Sequence, residues 1–329
     1  MLPVKIAGLG YYLPERRVLN AELEERLHIP EGWIERVTGV RERRYVTNET
    51  SLGMATAASR SALEASGIPL EEIDLIVGAS TAPHQSIPCT AALAQRELGA
   101  PDGGSACFDV NATCLSFLFA LQTVSHLVAA GVYRNALIFS SEISRHSLNP
   151  SERESAVLFG DAAAAAVVTR SAPGEANSVW HSLFNTYASG ADFTRIVGGG
   201  TRHHPNDGAT TPEMNMFQMN GPAIFKMGMK VMGPFLQSFF SAIEIDRATI
   251  DAVVPHQASR HAIELLTARG GFRDEQVVSN IATRGNCIAA SIPLALAEAV
   301  ESGRIVRGNS VFLVGSGAGL TLGGVALTY

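Results

Sequence analysis

Ile68-Pro-Leu-Glu-Glu-Ile-Asp-Leu-Ile-Val77 and Ile245-Asp-Arg-Ala-Thr-Ile-Asp-Ala-Val-Val254 share one plan: an isoleucine, four residues, Ile-Asp, then an apolar run. They stand 177 residues apart, and each follows a helix-like stretch. Further along, a helical stretch ending at Gly131 matches one ending at Gly303, offset 172. Arg134-Asn-Ala-Leu-Ile-Phe139 then matches Gly308-Asn-Ser-Val-Phe-Leu313, offset 174. Short apolar matches are weak singly. Three in one order, at a nearly constant offset, indicate a duplicated chain.

The β-branched, apolar runs Val4–Ala7, Leu75–Val77, Ala136–Phe139, Ala164–Val168, Val253–Val254 and Val311–Val314 are expected strands. Between them lie helix-like segments: Leu52–Ser66, Ala91–Leu98, Leu115–Ala130, Phe235–Ile243, Ala262–Arg269 and Ile288–Val300. This alternation predicts an α/β fold with a largely buried sheet, and each half runs strand–helix–strand–helix–strand. Breakers cluster between Thr169 and Ser178, so the halves are expected at residues 1–172 and 173–329.

The 329 residues carry 25 Lys and Arg against 31 Asp and Glu, a net charge of −6 with no basic stripe, which argues against nucleic acid as a partner. With 46% hydrophobic residues the chain can bury a sizeable core. No apolar run approaches the ~20 residues of a membrane-spanning helix. No signal-like apolar region precedes Glu15-Arg16-Arg17, and a cytoplasmic setting is expected. Cys89, Cys107, Cys114 and Cys287 form neither a disulfide framework nor a Cys-x-x-Cys pair, so no metal or redox cofactor is expected.

The duplication also places chemistry. Cys114, in Phe108-Asp-Val-Asn-Ala-Thr-Cys114-Leu-Ser, opens a helix after a polar turn, where the helix dipole favours a thiolate. The alternative is an inert buried thiol. At an offset of 172 it falls opposite Asn286, whose simpler role is a turn residue. His256 follows the strand at Val253–Val254, at the carboxyl end where open α/β sheets place ligands. Alone it reads as a satisfied strand-end histidine. If the halves pack pseudo-symmetrically, thiol, imidazole and amide meet at the seam. Met214, Met216, Met219, Met227, Met229 and Met232 suit either an adaptable tunnel wall or core filling. Arg41-Glu-Arg-Arg44 reads as a solvated or salt-bridged surface turn, with a docking patch as the alternative.

Together these stretches resemble the thiolase-fold condensing enzymes of the β-ketoacyl-acyl-carrier-protein synthase III family. The resemblance is carried by Val40-Arg-Glu-Arg-Arg44, the Cys114 segment, Leu158-Phe-Gly-Asp161, Met219-Asn-Gly221-x3-Phe225-Lys, Pro255-His-Gln-Ala258, Gly285-Asn-x-x-Ala-Ala-Ser-Ile-Pro293 and Gly315-Ser-Gly-Ala-Gly319. They stand in the family order over nearly the whole chain. The resemblance implies two pseudo-symmetric βαβαβ halves in a layered αβαβα core. It implies Cys114 as acyl acceptor from acyl-CoA, and backbone N–H groups of Cys114 and Ala318 as oxyanion donors. His256 and Asn286 are implied to hold the enolate of a malonyl extender on acyl carrier protein or CoA.

Trp33 and Arg153 match the pair that sandwiches adenine. Arg36 stands one place before the family's arginine, with Val37 in its position. Ser259-Arg260-His261 replaces Asn-Leu-Arg after the histidine motif, and Ser116 replaces a common glycine. Gly221 and Phe225 are further implied substrate contacts. Ile87 matches a gate, often phenylalanine, that reaches a partner's acyl pocket. The implied state is a homodimer, and a non-aromatic gate predicts room for an acyl group longer than acetyl. Two rival readings are acyl transfer to an alcohol or amine, which needs no enolate-holding amide, and a non-catalytic partner subunit, which would not need Cys114. A Cys-His hydrolase fits poorly, for want of a water-activating third residue.

Overall fold

A computed structural model describes residues 1–329. The first half contains β1 (Val4–Tyr12), α1 (Ser51–Ser66), β2 (Leu75–Gly78), α2 (Thr90–Leu98), β3 (Ala106–Asp109), α3 (Ser116–Ala129), β4 (Asn135–Glu142) and β5 (Ala162–Arg170). The second contains β6 (Ser178–Thr186), α4 (Gly221–Ser241), β7 (Ala252–Pro255), α5 (Arg260–Gly270), α6 (Ser291–Glu301), β8 (Ser310–Gly317) and β9 (Thr321–Thr328). Short helices and two small strand pairs fill the connections. No helix is long and apolar enough to cross a membrane.

The first sheet has the order β1-β5-β4-β2-β3, with β4, β2 and β3 parallel and the other pairings antiparallel. The second, β6-β9-β8-β7, repeats that plan with one strand fewer. Where a counterpart of β3 would lie, a single parallel bridge joins Val253 to Val277. Both halves run strand–helix–strand–helix–strand, and the first carries one further strand, β3.

Both faces of each sheet are covered, which is why the strands read as continuous apolar runs. Leu75, Val77 and Ile138 face a central layer with Leu121 and Val124 of α3 and Ala295 and Leu296 of α6. Val254, Leu313 and Val325 of the second sheet close the same layer from the other side. The alternate residues Ile76, Leu137 and Phe139 face α1 and α2. Val253, Phe312 and Val314 face Phe235 and Phe239 of α4 and Leu266 of α5. The result is helix, sheet, helix, sheet, helix, the layered plan the resemblance implies.

Two expectations are extended by packing. The strand expected to stop at Ala7 runs to Tyr12. Gly8 and Gly10 do not break it; they let α1 lie directly on it. A Cβ on Gly10 would come within 2.4 Å of the Ala58 oxygen. The helix expected from Phe235 begins at Gly221, after Asn220 accepts the Ala223 N–H at 3.1 Å. Pro222 sits in its first turn, and Pro234 is carried inside by the buried face around Val231, Met232 and Phe235. Met232 is core and Met227 packs against it, while Met229 faces outward.

Equivalent hydrogen bonds correct the repeat register. Asp74 accepts the Asn135 N–H (3.0 Å), and Asp251 accepts that of Ser310 (2.7 Å). The last strand therefore repeats at an offset of 175, not 174. The helices begin at the same offset, Ser116 and Ser291, but α6 is three residues shorter than α3. The loss of nearly one turn produces the offset of 172 at Gly131 and Gly303.

Candidate active site

Cys114 lies in a short 3-10 turn, Thr113–Leu115, between the end of β3 and the start of α3. Thr113 has φ of 53°, a left-handed conformation costly for a β-branched residue. Three bonds hold it. Its N–H donates to Asn111 Oδ1 (3.0 Å), its hydroxyl donates to Ala112 O (2.8 Å), and Ser116 Oγ donates to Thr113 O (2.7 Å). Ser116 also accepts the Ala112 N–H at 3.0 Å. The serine that departs from the family's glycine thus ties the nucleophile turn together.

The glycines of β8 bring the two halves into contact there. A Cβ on Gly317 would meet Thr113 Oγ1 at 2.9 Å, and one on Gly315 would meet His256 Cβ at 2.6 Å. Only a bare backbone permits this approach. Beyond β8 lies Ala318, whose N–H, with that of Cys114 itself, favours the Cys114 anion.

The helix dipole does not act on this thiol alone. Burial, and then the Glu142 carboxyl, push the Cys114 thiol up to about 12, against the two N–H groups that favour its anion. Glu142 ends β4 and is 2% exposed. It accepts the Thr81 N–H at 2.7 Å, and the N–H groups of Ala82 and Ala289 also face it. Burial raises its carboxyl to about 8. Sequence reasoning missed this residue, although a lone acid closing an apolar strand is a visible signal.

His256 is 5% exposed and anchored by its N–H to Val314 O at 2.8 Å. Its Nδ1 has no protein partner, and burial pushes the imidazole down to about 4, so it is neutral near pH 7. Asn286, also 5% exposed, follows Gly285 at φ of 67°. Its N–H donates to Leu158 O (2.9 Å), and its carbonyl accepts the Gly160 N–H (3.1 Å). Gly160 is needed because a Cβ there would meet Arg284 O at 2.2 Å. This explains the Leu-Phe-Gly-Asp stretch: it cradles the Asn286 loop. Asp161 meanwhile accepts from Val46 N (3.0 Å) and Ser144 N (2.7 Å). Asn286 Oδ1 accepts the Ile288 N–H at 2.8 Å. That fixes the amide orientation and leaves Nδ2 with only a 3.4 Å contact to Ala258 O.

Gln257, fully buried beside His256, was also missed. Its Nε2 donates to Pro255 O (2.8 Å) and Val278 O (3.2 Å), and its Oε1 accepts from Asn280 N and Ile281 N, both at 3.1 Å. It stitches the His256 strand end to the segment leading to Asn286, where the second sheet lacks its fifth strand.

The register also corrects the pairing of Cys114 with Asn286. At an offset of 175 the counterpart of Asn286 is Asn111, and that of Cys114 is Ala289. Asn111 and Asn286 bond the N–H two residues on in the same way, and Thr113 and Ile288 share a φ near 52–53°.

The other expected contacts form two groups. Arg260 Nη2 donates to Arg36 O (2.9 Å), and both side chains are exposed. Exposed Arg153 opens a short helix whose flanking Glu152 accepts the Met219 N–H (3.2 Å), next to Gly221. Phe225, 49% exposed, lies one turn further along α4. Trp33 is half-buried against Val18, Ile34 and Val157. Ile87 stands apart, 83% exposed on the loop after β2. Arg43 departs from the expected solvated turn: it is fully buried, donating to Asn20 Oδ1 (2.7 Å) and Val157 O (2.6 Å).

Comparison with known proteins agrees with this architecture. Residues 108–188 match the family described as 3-oxoacyl-[acyl-carrier-protein (ACP)] synthase III, and residues 240–329 match its C-terminal counterpart. A β-ketoacyl-[acyl-carrier-protein] synthase III of Clostridium perfringens is 36% identical over 98% of each chain. The crystal structure of 3-oxoacyl-[acyl-carrier-protein] synthase III from Aquifex aeolicus VF5 superposes with a TM-score of 0.89 at 32% identity, covering 99% of this chain and 100% of that one. A priming β-ketosynthase from the R1128 polyketide biosynthetic pathway gives a TM-score of 0.90 at 31% identity, covering 99% and 96%. The chain belongs to the 3-oxoacyl-[acyl-carrier-protein] synthase III family, condensing enzymes of the acyltransferase class built on the thiolase-like fold.

Proposed function

We propose that Cys114 takes an acyl group from acyl-CoA and that the acyl group is then condensed with malonyl-acyl-carrier protein. The observation that carries this reading is the close approach of the β8 glycines Gly315 and Gly317 to both His256 and the turn that holds Cys114, at a seam shared with an Asn286 amide whose NH2 has no strong partner. In the loading step the sulfur attacks the thioester carbonyl. The thiol proton leaves as the new S–C bond forms and ends on the departing CoA sulfur, so loading releases no net proton. The N–H groups of Cys114 and Ala318 hold the oxyanion.

In the second step the malonyl group loses CO2. Its enolate oxygen accepts hydrogen bonds from His256 and Asn286 Nδ2, neither of which must give up a proton. The enolate carbon attacks acyl-Cys114 and expels the thiolate, which takes one proton from water. Atoms and charge balance without a metal or redox cofactor. The product is a β-ketoacyl thioester for fatty-acid or polyketide-like priming.

Trp33, Arg36, Arg153 and Arg260 are assigned to the CoA and carrier-protein side, and Gly221 and Phe225 to the wall of the entry. Exposed Ile87 is assigned to the acyl pocket of a partner in a homodimer. The open edge of β3 supports pairing with a second copy. Four free cysteines suit a reducing compartment such as the cytoplasm.

Intact-mass measurement with a panel of acyl-CoAs tests the reading. An acyl adduct on wild type, absent from Cys114→Ala, is expected, and its release as a β-ketoacyl thioester when malonyl-carrier protein is added. An adduct that malonyl-carrier protein cannot discharge would refute condensation by this site. Strict limitation to acetyl would refute the role given to Ile87.

A further inference from the structure

We infer that Asn111 is a positioning residue for the nucleophile: it holds the turn that presents Cys114 and fastens that turn to the loop carrying Ile87. The inference rests on the reading of Cys114 as the acyl acceptor.

The duplication made Asn111 and Asn286 structural twins. Each side-chain oxygen accepts the N–H two residues on, at 3.0 and 2.8 Å, and so closes a turn around a left-handed, β-branched residue. Such a residue reverts to ordinary backbone unless its surroundings hold it. In the first half the residue after Thr113 is Cys114, so the angle of Thr113 sets where the sulfur lies relative to the Ala318 N–H.

The twins differ in what their NH2 groups do. That of Asn286 has only a 3.4 Å contact, to Ala258 O, and is available to a reacting oxygen. That of Asn111 donates to Thr81 O at 2.9 Å. The N–H of the same Thr81 donates to Glu142 at 2.7 Å. Thr81 begins the loop that leads to Ile87, and it is held on both sides of its residue by groups next to Cys114. One amide therefore couples the position of the sulfur to that of the acyl gate. Duplication has given one twin to the reaction and the other to the geometry of the nucleophile.

The test is time-resolved intact mass of Cys114 acylation with acetyl-, butyryl- and octanoyl-CoA. Asn111→Ala is expected to slow loading by about tenfold or more, because small misplacements of reacting atoms cost that much. Adding Thr113→Gly to it should restore loading to within about threefold of wild type, since glycine adopts a positive φ freely. Asn111→Asp keeps the acceptor for Thr113 and loses the donor to Thr81. It should slow acetyl loading less than Asn111→Ala does, while its octanoyl-to-acetyl ratio changes by about fivefold, roughly 1 kcal/mol. Asn111→Asp, which keeps the turn, carries the test if Asn111→Ala fails to fold.

Wild-type loading by Asn111→Ala, or slow loading that Thr113→Gly does not recover, would overturn the positioning role. An unchanged chain-length ratio in Asn111→Asp would overturn the coupling to the gate. Absence of any adduct on wild type would instead overturn the reading of Cys114 itself, and the role of Asn111 with it.

Discussion

Gln257→Leu removes a side chain that touches no substrate yet fastens the segments carrying His256 and Asn286. Gln257 is fully buried, and all four polar positions of its amide are used. Leucine fills similar volume, so packing is nearly conserved. What changes is the partners. The N–H groups of Asn280 and Ile281 lose their only side-chain acceptor, and each buried unmet donor costs about 1–3 kcal/mol. The carbonyls of Pro255 and Val278 have second lone pairs and lose less. The total is about 3–6 kcal/mol, a large part of the ~5–15 kcal/mol that holds a typical protein together. At about pH 5, where burial keeps it protonated, the carboxyl of Gln257→Glu keeps the acceptor and one donor and forfeits one donated bond, about 1–2 kcal/mol. Urea denaturation at about pH 5 should therefore rank wild type above Gln257→Glu, and that above Gln257→Leu. In folded Gln257→Glu, malonyl decarboxylation should fall about tenfold or more while Cys114 acylation changes less, because the displaced groups serve mainly the second step. Gln257→Leu within about 1 kcal/mol of wild type would refute the accounting, since a single unmet donor costs that much.

Asn286→Leu should lose decarboxylation by about 10²–10³-fold and still form acyl-Cys114, as expected when one anion-holding donor is removed; equal losses in both steps would contradict the division of roles. Glu142→Gln keeps an acceptor for the Thr81 N–H and removes a charge that forms only above about pH 8. Alkylation of Cys114 by iodoacetamide should match wild type below pH 8 and be faster above it; identical profiles would exclude Glu142 as a cause of the raised thiol. His256 is pushed from 6.5 to about 4, so the folded protein binds fewer protons than the unfolded one between those values. Its contribution to stability is present above pH 6.5 and lost as pH falls through about 4, so denaturation curves of wild type should weaken over that window more than those of His256→Gln. Gly10→Ala puts a Cβ 2.4 Å from the Ala58 oxygen and the Ala62 nitrogen, forcing α1 off β1. A loss of about 1–3 kcal/mol is expected in urea denaturation, and an unchanged midpoint would show that α1 can shift freely.

The elements that were legible in the sequence are those whose environment is apolar on both sides. β2, β4, β7 and β8 read directly because each face meets a helix layer. β6 was invisible. It is an edge strand, mostly half-buried, and its mixed residues carry no clear period. The two extensions, of β1 through Gly8 and Gly10 and of α4 through Gly228 and Pro234, failed for one reason: residues that break isolated elements also permit close approach or ride on a buried face. Arg43 looked like surface because charge usually is, and its burial depends on acceptors 23 and 114 residues distant.

By itself the sequence determined that two similar α/β halves follow each other, and that Cys114, His256 and Asn286 stand at the mouths of their sheets. Hydrophobic period and repeat spacing are local, and they survive in a one-dimensional reading. Only the tertiary structure decided the register of the repeat, because a shortened helix and a lengthened loop cancel along the chain. It alone decided that Asn111 is the twin of Asn286, that burial and Glu142 raise the Cys114 thiol, and that Gln257 fastens the segments carrying His256 and Asn286. Each of those depends on burial and on hydrogen bonds across the seam, and neither exists until the two halves pack.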